Sequence, residues 1–128
     1  MKIIGIGTDI IDNLRIKKLI RNRIFLNKIF TKNEIFLSKK MTDKSSYFAK
    51  RFAAKEAFSK SLGTGFRNGL YFKDISVINN KLGKPSFYIS DKLKNLIKKN
   101  FKIKKFDFLL SISDEKKYSL AFVLFQKK

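Results

Sequence analysis

Neither histidine nor cysteine occurs in this chain of 128 residues, so any chemistry it performs rests on carboxylates, amines and guanidinium groups. The commonest general base, disulfides and thiolate metal sites are all removed. Two carboxylates stand out by their neighbours. Asp9 closes the glycine-bearing run Gly5-Ile6-Gly7-Thr8-Asp9, and Glu56 sits inside the run from Arg51 to Gly65, four residues before Lys60. Two carboxylates far apart in sequence can share a hard cation such as Mg²⁺, Mn²⁺ or Ca²⁺, with water or phosphate oxygens completing the shell. Nearby lysine and arginine would neutralise phosphates bridged by that cation, as phosphoryl-type transfers require. There is no Walker-type loop and no kinase signature, so ATP is not indicated.

The elements that must position these residues can be read from their patterns. Residues 2–11 are rich in β-branched side chains and predict a strand, with Gly5, Gly7, Asp9 and Ile11 sharing one face. Glycines on one strand face mark either a close approach by backbone or ligand, or a twisted edge strand with a bulge. Arg51 to Leu62 reads as a helix stopped by Gly63, with Gly65 adding a further turn. On a wheel of about 3.6 residues per turn, Glu56 and Lys60 fall on one stripe with Ala49 and Ala53, and Arg51 and Lys55 on another. A like-charged pair four apart is mildly unfavourable in an isolated helix and makes better sense with an anion between the two. The plainer reading is a surface helix carrying one Glu56–Lys60 ion pair.

The remaining segments predict an α+β domain spanning 1–128 as a single unit, with no repeat or linker. Asp12 or Asn13 caps a helix expected from Leu14 to Ile29. Thr31-Lys32-Asn33-Glu34 forms a capping-box pattern opening a short helix to about Lys40, and Ser45 or Ser46 is expected to cap the central helix. A loop through Arg67-Asn68-Gly69 follows it. Strands are expected at Asp74–Ile78 and Ser86–Ile89, and a short basic helix at Asp91–Lys99. Phe106–Ser113 and Tyr118–Phe125 then form a hairpin around Asp114-Glu115-Lys116-Lys117.

Thirty basic residues against ten acidic ones give a formal charge of +20, which attracts polyanions, acidic proteins or phosphate-rich small molecules. Only five of the cations are arginines, whereas nucleic-acid readers lean on arginine forks. Lysine, isoleucine, asparagine and phenylalanine are all abundant, a skew typical of AT-rich coding. From Asn13 to Asn33 there is no acid, and the basic stripe there is either a solvated face or a docking surface for an acidic helix or polyphosphate. Apolar runs are too short to span a membrane and the start lacks a signal-peptide layout, so a cytoplasmic protein without membrane insertion is expected.

Gly5-Ile6-Gly7-Thr8-Asp9-Ile10-Ile11, the run Arg51-Phe52-Ala53-Ala54-Lys55-Glu56-Ala57-Phe58-Ser59-Lys60 with Gly63-Thr64-Gly65, the turn Gly83-Lys84-Pro85, and Ser111-Ile112-Ser113-Asp114 together resemble the holo-acyl-carrier-protein synthases, the short 4′-phosphopantetheinyl transferases. The resemblance is collinear over nearly the whole chain. It implies the fold of that family, a small antiparallel sheet packed with a long central helix and shorter helices. It also implies a Mg²⁺-dependent enzyme that moves the phosphopantetheine arm of coenzyme A onto a serine of apo acyl carrier protein, in support of fatty acid biosynthesis. Adenosine 3′,5′-bisphosphate is released. By position, Asp9 and Glu56 would hold Mg²⁺, and Glu56 and Lys60 would be catalytic. Arg51, Lys55, Ser59, Lys60, Gly63, Thr64 and Gly65 would contact coenzyme A. Either Glu56 or a water at the metal would take the serine proton. Arg15, Lys18 and Arg21 would dock the carrier, and homotrimers with interfacial sites are expected. Many relatives carry histidine where Asp114 stands, so Asp114 is left out of the catalytic set. The competing reading is a basic nucleic-acid-binding module, motivated by the charge and by fourteen Phe and four Tyr.

Overall fold

The glycine-bearing strand forms as β1 (Lys2–Asp12) in the computed structural model, which describes residues 1–65 and 69–128. It is followed by α1 (Asn13–Leu19), α2 (Arg23–Ile29), α3 (Lys32–Ser38) and the long α4 (Lys44–Leu62). After a short 3₁₀ turn at Phe72–Asp74 come β2 (Ile75–Asn79), β3 (Pro85–Ile89), α5 (Asp91–Phe101), β4 (Phe106–Asp114) and β5 (Tyr118–Lys127). The α+β expectation holds. One antiparallel sheet has the order β1-β5-β4, and β2 pairs with β3 in a second, two-stranded sheet.

Helix α4 is the axis of the core. Thirteen of its 19 residues are buried, so it is enclosed nearly all round rather than amphipathic. Phe58 meets Phe108 of β4 at 4.3 Å between ring centroids, and Phe108 stacks on Phe125 of β5 at 4.5 Å. On its β1 side α4 presents Ala53 and Ala57, both fully buried. A Cβ at Gly5 would collide with the Ser61 carbonyl, and one at Gly7 with the Ala57 carbonyl and the Ser61 amide. The two glycines therefore let strand backbone lie directly on helix backbone. The edge-strand reading holds as well, because β1 is an outer strand and its register with β5 shifts between Ile3 and Gly5.

Two helices differ from expectation. The helix expected over 14–29 is broken into α1 and α2, because Asn22 leaves helical geometry and accepts hydrogen bonds from the Ile24 and Phe25 amides. The break lets both Ile16 and Ile29 turn into the core. Helix α4 starts slightly earlier than expected, with Asp43 as its cap, accepting from the Ser46 amide at 3.0 Å. Ser45, one expected cap, instead donates its hydroxyl to Asp43. Gly63 is the left-handed stop of α4, with φ 77°. The Arg67 and Asn68 part of the expected loop lies outside the described residues.

Candidate active site

The backbone contact between β1 and α4 brings Asp9 against the Glu56–Lys60 stripe. The Lys60 ammonium donates to the Thr8 carbonyl at 2.9 Å and to Asp9 Oδ1 at 3.2 Å. Burial raises the Asp9 carboxyl above its ordinary pKa, while Lys60 and Arg15 oppose the rise. Glu56 is raised as well, first by burial and then by the Asp9 charge, with Lys60 and Arg15 again opposing. Two half-buried carboxylates that disfavour each other's charge, with cations to one side, form an oxygen donor set that a divalent cation would relieve. Among the described residues no cluster of three or more acidic ligands exists, so water and phosphate oxygens would supply the other positions. The residues fit Mg²⁺.

Arg15, exposed on α1, acts on this site through its charge, and its position depends on a residue the sequence reading undervalued. Asn13 is buried and ties α1 to the β4–β5 turn. Its Nδ2 donates to the Glu115 and Lys116 carbonyls, each at 3.1 Å, and its Oδ1 accepts from Ser119 at 2.7 Å. Lys17 and Arg21 point instead toward the start of α4, lining a cavity of about 640 Å³ with Asp43 and Lys44. Lys18 is exposed.

On another side of α4, Arg51 is 7% exposed and lies 3.6 Å above the Tyr47 ring. It donates to the Tyr47 carbonyl at 3.3 Å and to Asn79 Oδ1 at 2.8 Å, while its Nε is buried with no partner among the described residues. With Lys50, Asn79, Gly83, Pro85 and Asp114 it lines a cavity of about 320 Å³. Asp114 lies 4.0 Å from Lys50 and accepts weakly from Ser46 at 3.5 Å. Neither Asp9, Glu56 nor Lys60 lines this cavity. The Arg51 cavity and the Asp9–Glu56 cluster are thus separate places on the chain.

Two residues expected at coenzyme A are placed in the interior. Lys55 is fully buried, and its ammonium donates to Glu34 Oε1 at 2.6 Å, to the Ile29 carbonyl at 2.7 Å and to the Phe72 carbonyl at 3.2 Å. An ammonium has three N–H donors and all three are used, so Lys55 holds the core together and has none left for a phosphate. Ser59 is 2% exposed. Gly63 and Thr64 are exposed at the end of α4, where Thr64 donates to the Gly65 carbonyl at 3.3 Å. The capping-box motif marked Glu34 as a helix start, but its second oxygen also accepts from the Val77 amide at 2.9 Å. No local pattern announces that contact or the one between Arg51 and Asn79.

A scan against family models matches residues 5–123 to the 4′-phosphopantetheinyl transferase superfamily. This chain belongs to that superfamily. Similar family members include the holo-acyl-carrier-protein synthase of Pelagibacter ubique, 62% identical over 128 residues and covering all of both chains. That of Clostridium beijerinckii is 45% identical, covering 97% of this chain and 98% of its own. Among solved family structures, the synthase from Neisseria meningitidis superimposes with a TM-score of 0.88 at 38% identity, covering 98% of this chain and 99% of its own. The Bacillus anthracis synthase, solved in complex with coenzyme A (3′,5′-ADP), gives 0.83 at 35% identity over the whole of both chains.

Proposed function

We propose that this chain transfers the 4′-phosphopantetheine arm of coenzyme A to a serine of apo acyl carrier protein and releases adenosine 3′,5′-bisphosphate. The observation that carries this reading is the pairing of half-buried Asp9 and Glu56 beside Lys60, set by backbone contact, in a member of the superfamily. Asp9 and Glu56 would hold Mg²⁺, which when bound would draw charge from the pyrophosphate. Glu56 accepts the serine proton as the serine oxygen bonds to the phosphorus carrying the pantetheine arm. The bond from that phosphorus to the bridging oxygen breaks, and the electron pair leaves with the bisphosphate. Lys60, whose amine is partly exposed and has one N–H beyond its two bonds to β1, neutralises that leaving charge. Arg15 stands between the acidic carrier and the site.

Two features support assembly as a homotrimer with sites completed between copies. Ile6, Ile10, Leu109, Leu120 and Phe122 lie on the face of the β1-β5-β4 sheet away from α4 and are between 37% and 59% exposed, with no element over them among the described residues. The Arg51 half-site and the Asp9–Glu56 half-site occupy different sides of one chain, so a neighbour's Arg51 cavity can complete the coenzyme A seat. Among the described residues no helix is long and apolar enough to cross a membrane. On this reading the reaction belongs to the cytoplasm and feeds fatty acid synthesis. Incubation with coenzyme A, Mg²⁺ and apo carrier protein should add one phosphopantetheine to the carrier by intact mass. An unchanged carrier mass refutes the reading.

A further inference from the structure

Carrier docking uses the basic face of α1, but a second acid-free stretch remains unused. Seven lysines and no acid lie between Asp91 and Asp107. The later part of this stretch meets the start of β1 and the end of β5 around a cavity of about 340 Å³. Lys2, Lys102 and Lys127 line it together with apolar Ile4, Phe101 and Ile103. Lys2 and Lys127 are direct cross-strand partners, an arrangement that costs stability unless an anion lies between them. Lys102 caps α5 in the left-handed region, with φ 54°, a conformation few side-chain-bearing residues adopt. No acid lines the cavity, and nearby Asp107 already faces Lys128 at 4.0 Å.

We propose that this end of the molecule docks on an anionic phospholipid bilayer, with a headgroup phosphate seated among Lys2, Lys102 and Lys127. Clustered lysines are attracted to anionic leaflets within a Debye length. A nucleic acid fits less well, because the cavity offers no arginine fork and no exposed aromatic ring for base stacking. By strand alternation Lys127 shares the face of buried Phe125, on the helix side, so covering the open sheet face leaves the cavity free. Lys2 stands about 23 Å along β1 from Asp9, at about 3.3 Å per residue, so membrane contact and arm transfer are compatible.

The test is co-sedimentation of the full chain with vesicles of phosphatidylcholine alone, or with a third of the lipid replaced by phosphatidylglycerol, at about 0.1 M salt. Binding should require the anionic lipid. The triple variant Lys2→Gln, Lys102→Asn, Lys127→Gln should lose about tenfold or more of that binding and keep its arm-transfer rate. The control triple Lys28→Gln, Lys32→Gln, Lys40→Gln, with the same change of charge on α2, on α3 and just after it, should lose far less. Equal losses in both triples, or equal binding to neutral vesicles, overturns the proposal. A cavity triple that keeps vesicle binding but loses a single-stranded RNA oligonucleotide does the same.

Discussion

Glu56 carries two burdens, as a donor toward a cation and as an acceptor for the serine proton, and both need its negative charge. Glu56→Gln and Asp9→Asn keep the shape and remove that charge. Each should lower arm transfer by about 10²–10³-fold or more, with folding judged intact by circular dichroism. Near-normal turnover in either variant removes the metal assignment. Lys55 is a different kind of cation. Lys55→Met strands the Glu34 carboxylate in the core, and unfolding by urea should show a loss of about 3–5 kcal/mol. Pairing it with Glu34→Gln should recover much of that loss, since no unpaired charge then remains buried. The sequence separated these roles poorly. Arg51, Lys55 and Glu56 lie within one helical turn and a half, and a wheel sorts them by angle without showing what each angle faces. Glu34, the residue that claims Lys55, lies 21 positions away.

At the scale of elements, β1 and α4 act as one piece. Gly7→Ala places a methyl group against the Ala57 carbonyl and the Ser61 amide, which are backbone and cannot rotate away. The strand must lift and Asp9 with it. Arm transfer should fall by about 10²-fold, since a misplacement of about 1 Å at a reacting centre has that cost. Unchanged activity in a variant whose mass and fold are normal argues against the contact. The αL stop at Gly63 was legible because it answers a local steric demand, whereas the glycine pair signalled a close approach or a bulged edge strand without naming α4 backbone as the neighbour. The split of the first helix was not, because Asn22 is tolerated inside a helix and only the burial of Ile16 and Ile29 decides against it. For α1 and the turn after it, Arg15→Glu with Arg21→Glu should raise the KM for carrier protein and flatten its salt dependence, with the KM for coenzyme A unchanged. Steady-state kinetics at two salt concentrations reads both.

At the scale of the whole molecule, the proposed assembly rests on the open sheet face and on the separation of the Arg51 cavity from the Asp9–Glu56 pair. Phe122→Glu puts a charge in the middle row of that face, opposite Thr8 on one side and Ser111 on the other. Light scattering should give a trimer mass for the parent and a single-chain mass for the variant, and arm transfer should fall with it. A trimer that persists overturns the assembly. Alternation along β4 and β5 was readable from the sequence, but not which apolar row would be left bare, because that depends on the side of the sheet α4 takes. The direct contact of β1 with α4 has one more consequence. The spacing between Asp9 and Glu56 rests on main-chain carbonyls and amides, which are the same atoms in every sequence. A genome drifting toward lysine, asparagine and isoleucine codons can therefore rewrite the side chains around the site without moving its two carboxylates, so long as two glycine codons survive.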